Sequence, residues 1–146
     1  MKNNKGFSLV ELIIVIAIMA ILVGVMAPQL IKYIEKTNVS SDTQLADTVK
    51  SAVTTAIMDP AVITSSGYSF KNTSASITSI NLGGEFQNSV AETLGTDKSG
   101  LANVPKKLKS KGATDITVII AGSNAVHVRV DGSHADAKSG TAIYVD

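Results

Sequence analysis

The stretch Phe7–Ala27 reads FSLVELIIVIAIMAILVGVMA and decides how the rest of the chain is organised. Its 21 residues carry one formal charge, on Glu11. At about 1.5 Å rise per residue, a helix of this length is about 31 Å long, close to the hydrocarbon thickness of a bilayer. The stretch therefore predicts an α-helix that can span a membrane.

Glu11 is costly in such a helix. A carboxylate inside a bilayer costs about 2.5–3.5 kcal/mol on insertion scales, and residues of this kind are usually paired and functional. No Lys, Arg or His lies between Phe7 and Gln29, so a cation must come from elsewhere. A cut between Gly6 and Phe7 would create an α-amino group one helical turn before Glu11. That amine, of the same chain or of a neighbouring one, is the cation that Glu11 needs.

Two simpler interpretations leave Glu11 without a role. A secretory signal peptide would use Lys2 and Lys5 as its charged region, but the apolar run is longer than usual and no small-x-small site closes it. A plain signal anchor would keep the same lysines in the cytoplasm and place the C-terminal part outside.

The stretch KGFSLVELIIVIAIMAIL, residues 5–22, resembles the class III signal of type IV prepilins. That signal has a short basic leader ending in glycine, then phenylalanine, a glutamate four residues later, and an unbroken apolar helix. A proline commonly follows the helix. The matching residues here are Lys5, Gly6, Phe7, Glu11, Leu12 and Pro28.

The resemblance implies a structural pilin. A prepilin peptidase would remove the leader, residues 1–6, after Gly6 and methylate the amine of Phe7. The precursor would wait in the cytoplasmic membrane with its head outside. The pilus assembly machinery would then add it to a homopolymer, an extracellular filament that supports surface motility, adhesion or aggregation. The residues expected to serve assembly are Phe7, Glu11, Leu12, Gly24 and Pro28.

The position of the helix glycine departs from the family pattern. Many members carry a mid-helix glycine where this chain has Ala20, and here the glycine is Gly24. Because alanine favours helix, we expect any unwinding in a filament to be confined to Gly24–Pro28. Pro28 removes a backbone donor and clashes with the carbonyl four residues back, so a kink is expected there.

Two alternatives to a structural pilin are also consistent with these observations. A pseudopilin of a type II secretion or DNA-uptake system has the same first segment and differs only in its head. A monomeric signal-anchored surface domain, such as an adhesin or an enzyme, would leave Glu11 unused. The intact mass separates this last class, because a mature start at methylated Phe7 excludes it.

The remaining segment, residues 29–146, is expected to form the head. An apolar stripe at helical spacing predicts a helix over residues 29–59, which Asp59-Pro60 should end. The run TNVSSDT, residues 37–43, predicts a weak point where Ser41 or Asp42 begins a new helix. The stripe comprises Leu45, Val49, Ala52, Val53, Ala56 and Ile57.

The second half of the head changes period. A short strand is expected at Ser76–Leu82 and a short helix at Gly84–Leu94, with Gly95 as its C-cap. Apolar residues alternate at 116–120 and 126–130, and a third apolar run covers 142–145, which predicts an antiparallel sheet over residues 115–146. The fold class is therefore α+β, a long N-terminal helix packed on a small antiparallel sheet, as in the type IV pilin fold.

Composition gives few signs of other chemistry. The 146 residues carry a net charge of +1 and no cysteine, which excludes disulfides and thiolate metal sites. Four lysines within Pro105–Gly112 suit DNA or an anionic surface, but no aromatic residues interleave them and the rest of the head is not basic. They are therefore interpreted as a solvated face without specific nucleic-acid binding. The loop Asp131–Asp136 lacks EF-hand spacing and is interpreted as a turn. We expect no cofactor, no metal and no enzymatic activity.

Overall fold

The fold was analysed in a computed structural model, which describes residues 6–65, 72–80, 85–132 and 143–146. The chain divides into two compact units, residues 1–34 and residues 35–146. Among the described residues the elements, in chain order, are α1 (Leu9–Met58), α2 (Pro60–Ile63), β1 (Thr73–Ser76), α3 (Phe86–Thr93), two short 3-10 helices (Lys98–Asn103 and Pro105–Lys107), β2 (Ala113–Ile120), β3 (Val126–Gly132) and β4 (Ile143–Val145).

In the first unit, the described residues form the beginning of α1, and every one of their side chains is exposed. Most of these exposed side chains are large and apolar. The exposed fraction is 89% for Phe7 at the beginning of the unit and 53% for Ile34 at its end. An apolar helix with no partner is one that normally lies in lipid or against other helices. The described residues of this unit therefore contribute no buried side chain.

In the second unit, α1 provides the core with the expected stripe. Val49, Ala52, Val53 and Ala56 are fully buried, and Leu45 is partly buried against the same cluster. The helix ends at Met58, as the Asp59-Pro60 pair predicts, and the Asp59 side chain caps the short α2 by accepting a hydrogen bond from the Ala61 amide.

The weak point expected at residues 37–43 is absent, because α1 continues through the whole run. Ser41 and Asp42 do not begin a new helix. The Thr43 hydroxyl donates to the Val39 carbonyl, which keeps this polar group within the helix. Asp42 is fully buried and turned toward another segment of the unit. Tertiary contacts have thus overridden the local capping preference of these residue types.

The sheet is a four-stranded antiparallel meander in the order β1-β2-β3-β4. The alternation expected at residues 116–120 and 126–130 is confirmed, and Val118 pairs with Val128 at the centre of the sheet, both fully buried. A register irregularity lies between Ala113 and Asp115. There Gly132, at φ +128°, approaches the Gly112 carbonyl so closely that a Cβ would lie 1.9 Å from its oxygen. Only glycine fits at this position.

Two further expectations had different outcomes. The strand expected at Ser76–Leu82 is wrong: β1 ends at Ser76, a turn follows, and residues 81–84 lie outside the described residues. The pairing of β1 with β2 decides this position, because its sequence TSAS has little apolar alternation. The short helix is confirmed as α3, with Gly95 beyond its C-cap at φ +68°.

The fold class is α+β, as expected: the long helix packs on the antiparallel sheet through one hydrophobic cluster. The cluster also takes in α3, the turn after β1 and Leu101 of the first 3-10 helix. Phe86 is its largest fully buried side chain. This arrangement is consistent with the pilin fold.

Candidate functional site

Four of the residues that the sequence singles out lie at the start of α1: Gly6, Phe7, Glu11 and Leu12. Gly6 and Phe7 precede the helix, and Ser8 is its N-cap. The Ser8 amide donates a hydrogen bond of 2.9 Å to Oε2 of Glu11. The carboxylate thus satisfies a helix-terminal N–H that would otherwise lack an acceptor, and it lies at the positive end of the helix dipole.

This contact gives Glu11 a local role that the sequence reasoning missed. Ser8-Leu9-Val10-Glu11 has the S-x-x-E spacing of a capping box, in which the side chain at the third helical position reaches back to the N-cap amide. The pattern is visible in the sequence. It explains why the helix begins at Leu9, and it leaves Oε1 of the same carboxylate for another donor.

Phe7, four residues before Glu11, and Leu12, directly after it, are exposed, at 89% and 59%. A Cβ at Gly6 would meet no atom within 4 Å. The peptide bond between Gly6 and Phe7 is thus uncovered by any described residue. The geometry offers an accessible chain segment, a carboxylate one turn further on, and an apolar surface around both.

Gly24 and Pro28 lie within α1, away from the helix start. The structure keeps helix through both residues. Proline has no N–H, so the hydrogen bond that residue 28 would donate to the carbonyl of Gly24 is missing. These two residues therefore mark the same weak place in the backbone, but the helix does not unwind there.

In the described part of the chain, α1 is the one helix with the length and apolar composition to cross a membrane, and its most apolar window has no buried residue. Core helices of soluble proteins and signal sequences can meet the same criteria, but a core helix would be largely buried. The window lies near the N-terminus, where the candidate site lies too.

The loop proposed as a turn at Asp131–Asp136 is described only at its start, since residues 133–142 lie outside the described residues. Both carboxylate oxygens of Asp131 are occupied: Oδ1 accepts from Arg129 Nε at 2.6 Å, and Oδ2 bonds the Thr117 hydroxyl. Hydrogen bonds to Tyr144, and then to Asp131, raise the pKa of the Arg129 guanidinium. Asp131 thus stabilises the sheet surface.

Other charged groups serve local structure. Asp97 caps the first 3-10 helix, and hydrogen bonds from the Ser99 hydroxyl and the Gly100 amide lower the pKa of its carboxyl group. Nδ1 of His127 lies 3.2 Å from Oδ1 of Asp146 across the end of the sheet. Among the described residues, no group of three or more His, Cys, Asp or Glu side chains could hold a metal ion.

A comparison with known protein families points to the same segment, and a comparison with curated proteins finds fimbrial relatives. Residues 1–27 match the family described as the prokaryotic N-terminal methylation motif. Two proteins of Pseudomonas aeruginosa named fimbrial protein are each 39% identical over 66 residues, which is 45% of this chain and 43% of theirs. A fimbrial protein of Moraxella nonliquefaciens is 44% identical over 55 residues, which is 38% of this chain and 36% of the length of that protein.

The chain spans less than half the length of the curated relatives it matches. No solved structure matches it. The motif, the fimbrial relatives and the long apolar helix agree with the resemblance of residues 5–22 to the signal of type IV prepilins.

Proposed function

We propose that this chain is a structural subunit of a type IV pilus, which polymerises through residues 7–28 after removal of its leader. The observation that carries the proposal is the methylation motif ending on a helix whose first turn holds Glu11. The precursor is a single-pass protein of the cytoplasmic membrane, and the mature subunit belongs to an extracellular filament. Its partners are prepilin peptidase, the assembly machinery and other copies of itself.

Processing follows from the accessible peptide between Gly6 and Phe7. Cleavage there exposes the α-amine of Phe7, and methylation leaves that amine charged. The amine lies at the same membrane depth as Glu11. An unpaired carboxylate at this depth is unfavourable, so the exposed amine of a neighbouring subunit stabilises it.

The capping contact is compatible with this pairing. Oε2 of Glu11 accepts from the Ser8 amide of its own chain, and Oε1 is available to the partner's amine. One carboxylate can accept several hydrogen bonds. The register of a new subunit is then set by whichever position brings its Glu11 carboxylate against an amine already in the filament.

Burial of the apolar helices holds the filament together. In lipid, helix association has little hydrophobic drive, because lipid tails are as apolar as leucine. Outside the membrane, the exposed side chains of residues 7–27 are removed from water when helices pack together, at about 25 cal/mol per Å² of apolar surface. Glu11 supplies alignment, and the apolar surface supplies cohesion.

The test separates the charge of Glu11 from its capping role. Glu11→Gln keeps a side chain that can cap the helix but removes the charge, while Glu11→Ala removes both. If the charge pairs with a neighbouring amine, both variants should give at least about tenfold fewer filaments, since losing a charge pair of about 1.4 kcal/mol or more gives that factor. The measurements are the yield of sheared filaments and the intact mass of the subunit.

A variant at Gly6 provides the control for processing. Gly6→Lys should leave the precursor at its full mass, still in the membrane. If Glu11→Gln assembles like the wild type while Glu11→Ala does not, capping alone explains the residue and the pairing is excluded. A native subunit that retains Met1 would overturn the proposal as a whole.

A further inference from the structure

The four lysines of Lys106–Lys111, here called the lysine loop, lie on the surface of the second unit. Lys106, Lys107, Lys109 and Lys111 are all exposed. Lys106 Nζ donates to Asn103 Oδ1, a neutral acceptor, at 3.0 Å. The ion pairs found in the described residues, His127–Asp146 and Arg129–Asp131, involve none of the four. The loop therefore presents concentrated positive charge without a salt-bridge partner in the described chain.

Two carboxylates of α1 hold the backbone of this loop in place. Asp42 accepts from the amides of Lys109 and Ser110, each at 2.8 Å, and also from the Ser110 hydroxyl. Glu35 accepts from the Lys111 amide at 2.7 Å. These carboxylates are engaged by N–H and O–H groups of the loop and form no salt bridge with its ammonium groups. The loop is fixed while its charge stays available.

Glu35, which binds the lysine loop, lies close in sequence to the apolar segment of α1. Glu35 lies eight positions after Ala27, about 12 Å of helix. The exposed side chains between them include Leu30, Ile31 and Tyr33, and tyrosine is typical of the membrane–water interface. The headgroup region extends about 5–7 Å beyond the hydrocarbon core. Along the helix, Glu35 is therefore within about a Debye length, 8–10 Å, of the headgroups when Ala27 is at the edge of that core.

A shallow groove beside the lysine loop adds neutral hydrogen-bonding groups. It encloses about 560 Å³, and Ser41, Gln44 and Thr48 of α1 line it. Lys106, Lys107 and Lys109 form its other side. Ammonium groups next to hydroxyl and amide groups suit a phosphodiester that carries a glycerol. The ammonium groups neutralise the charge of the phosphodiester, and the hydroxyl and amide groups form hydrogen bonds with the glycerol.

We propose that the lysine loop binds the anionic headgroups of phospholipids on the outer surface of the membrane while the subunit awaits assembly. This inference rests on the proposed function, because it requires α1 to be inserted with the head outside. A membrane surface fits better than nucleic acid, because residues 104–112 contain no aromatic side chain on which a base could stack. Each lysine near an anionic leaflet adds to the attraction. Binding at this loop holds the head against the membrane before extraction.

The test measures the reactivity of individual lysines toward an amine-acetylating reagent, read by mass spectrometry. The full chain is placed in nanodiscs of neutral phosphatidylcholine, or in nanodiscs where phosphatidylglycerol replaces about a third of the lipid. Lys107, Lys109 and Lys111 should react about fivefold more slowly in the anionic discs, and about 0.5 M salt should abolish the difference. Lys50 is the internal control, since it lies on α1 about 22 Å beyond Glu35.

Variants test whether the loop acts as a unit. With Lys107→Gln and Lys109→Gln combined, protection of Lys111 by anionic lipid should fall by at least half. Lys50→Gln should leave that protection unchanged. The side chains of Lys107 and Lys109 are exposed, and the backbone amides that bind Asp42 and Glu35 are retained.

Each other outcome counts against the inference. Equal reactivity in both kinds of disc overturns it while co-elution of the chain with the discs leaves membrane anchoring intact. Failure to co-elute overturns the proposed function and this inference together. In neutral discs, equal protection by inorganic phosphate would assign the loop to free phosphate, and equal protection by a DNA duplex would assign it to nucleic acid.

Discussion

At the scale of single residues, Asp42 has a role that its neighbours in sequence conceal. It lies in a run of residue types that favour helix caps, yet α1 continues through it. Its carboxylate is fully buried and accepts from the amide of Lys109, 67 positions later. A buried carboxylate is tolerated when its oxygens are hydrogen-bonded. Asp42 therefore fixes the lysine loop to the helix.

We expect Asp42→Ala to lower the free energy of unfolding by about 3 kcal/mol, because two backbone amides and one hydroxyl lose a charged acceptor in a buried place. Asp47→Ala is the matched control, since Asp47 is exposed on the same helix and should cost less than about 0.5 kcal/mol. Thermal unfolding of the full chain in one detergent, followed by circular dichroism, measures both. Similar melting temperatures for the two variants would contradict the role given to Asp42.

Glu11 differs from Asp42 because part of its environment could be read from the sequence. The S-x-x-E spacing from Ser8 to Glu11 is local, and local hydrogen bonds follow from spacing. The donors to Asp42 come from a loop whose position depends on the whole fold. Contacts with large sequence separation are therefore the part of the site region that a single sequence could not supply.

At the scale of secondary structure, the elements with strong periodicity were predictable. The stripe from Leu45 to Ile57 and the alternation of residues 116–120 and 126–130 each match one period clearly. β1 lacks such a pattern. Its four residues form a strand because they pair with β2 from Thr117 to Ile120. The sheet thus gained an edge strand whose existence depends on its partner and not on its own side chains.

The element-scale prediction concerns Gly24 and Pro28 in α1. Pro28→Ala restores the hydrogen bond from residue 28 to the Gly24 carbonyl and removes the steric clash, which together amount to about 3 kcal/mol. Amide exchange at residues 24–27 should slow by at least about tenfold, since local opening becomes less frequent. Hydrogen exchange of the full chain in detergent micelles, resolved by NMR, measures this.

The amides of residues 13–20 serve as the control for Pro28→Ala. They lie two or more turns away in the same apolar helix, so their exchange should be unaffected. Slower exchange along the entire segment would mean that the substitution changed how micelles cover the helix. Unchanged exchange at residues 24–27 would mean that Pro28 does not weaken the backbone there.

At the scale of the whole molecule, the two units differ in the interactions that stabilise them. All buried side chains of the described residues lie between Asp42 and Val145. The described residues of the first unit are all exposed, so that unit gains its stability from what surrounds it, lipid before assembly and other helices afterward in the proposed function. The described residues of the second unit form their own core, and its lysine loop is hydrogen-bonded to α1.

A chain that begins at Gln29 should therefore fold without the apolar segment. The deletion removes no described buried side chain, so the melting temperature should stay within about 3 °C of the full chain in the same detergent. Without residues 7–28 the fragment should be monomeric in size-exclusion chromatography and absent from filaments. A fragment that begins at Gln44 is the contrasting control, because it also lacks Glu35 and Asp42, which bind the lysine loop. If the Gln29 fragment melts as early as the Gln44 fragment, the apolar segment stabilises the head. The idea that this segment serves assembly alone would then be wrong.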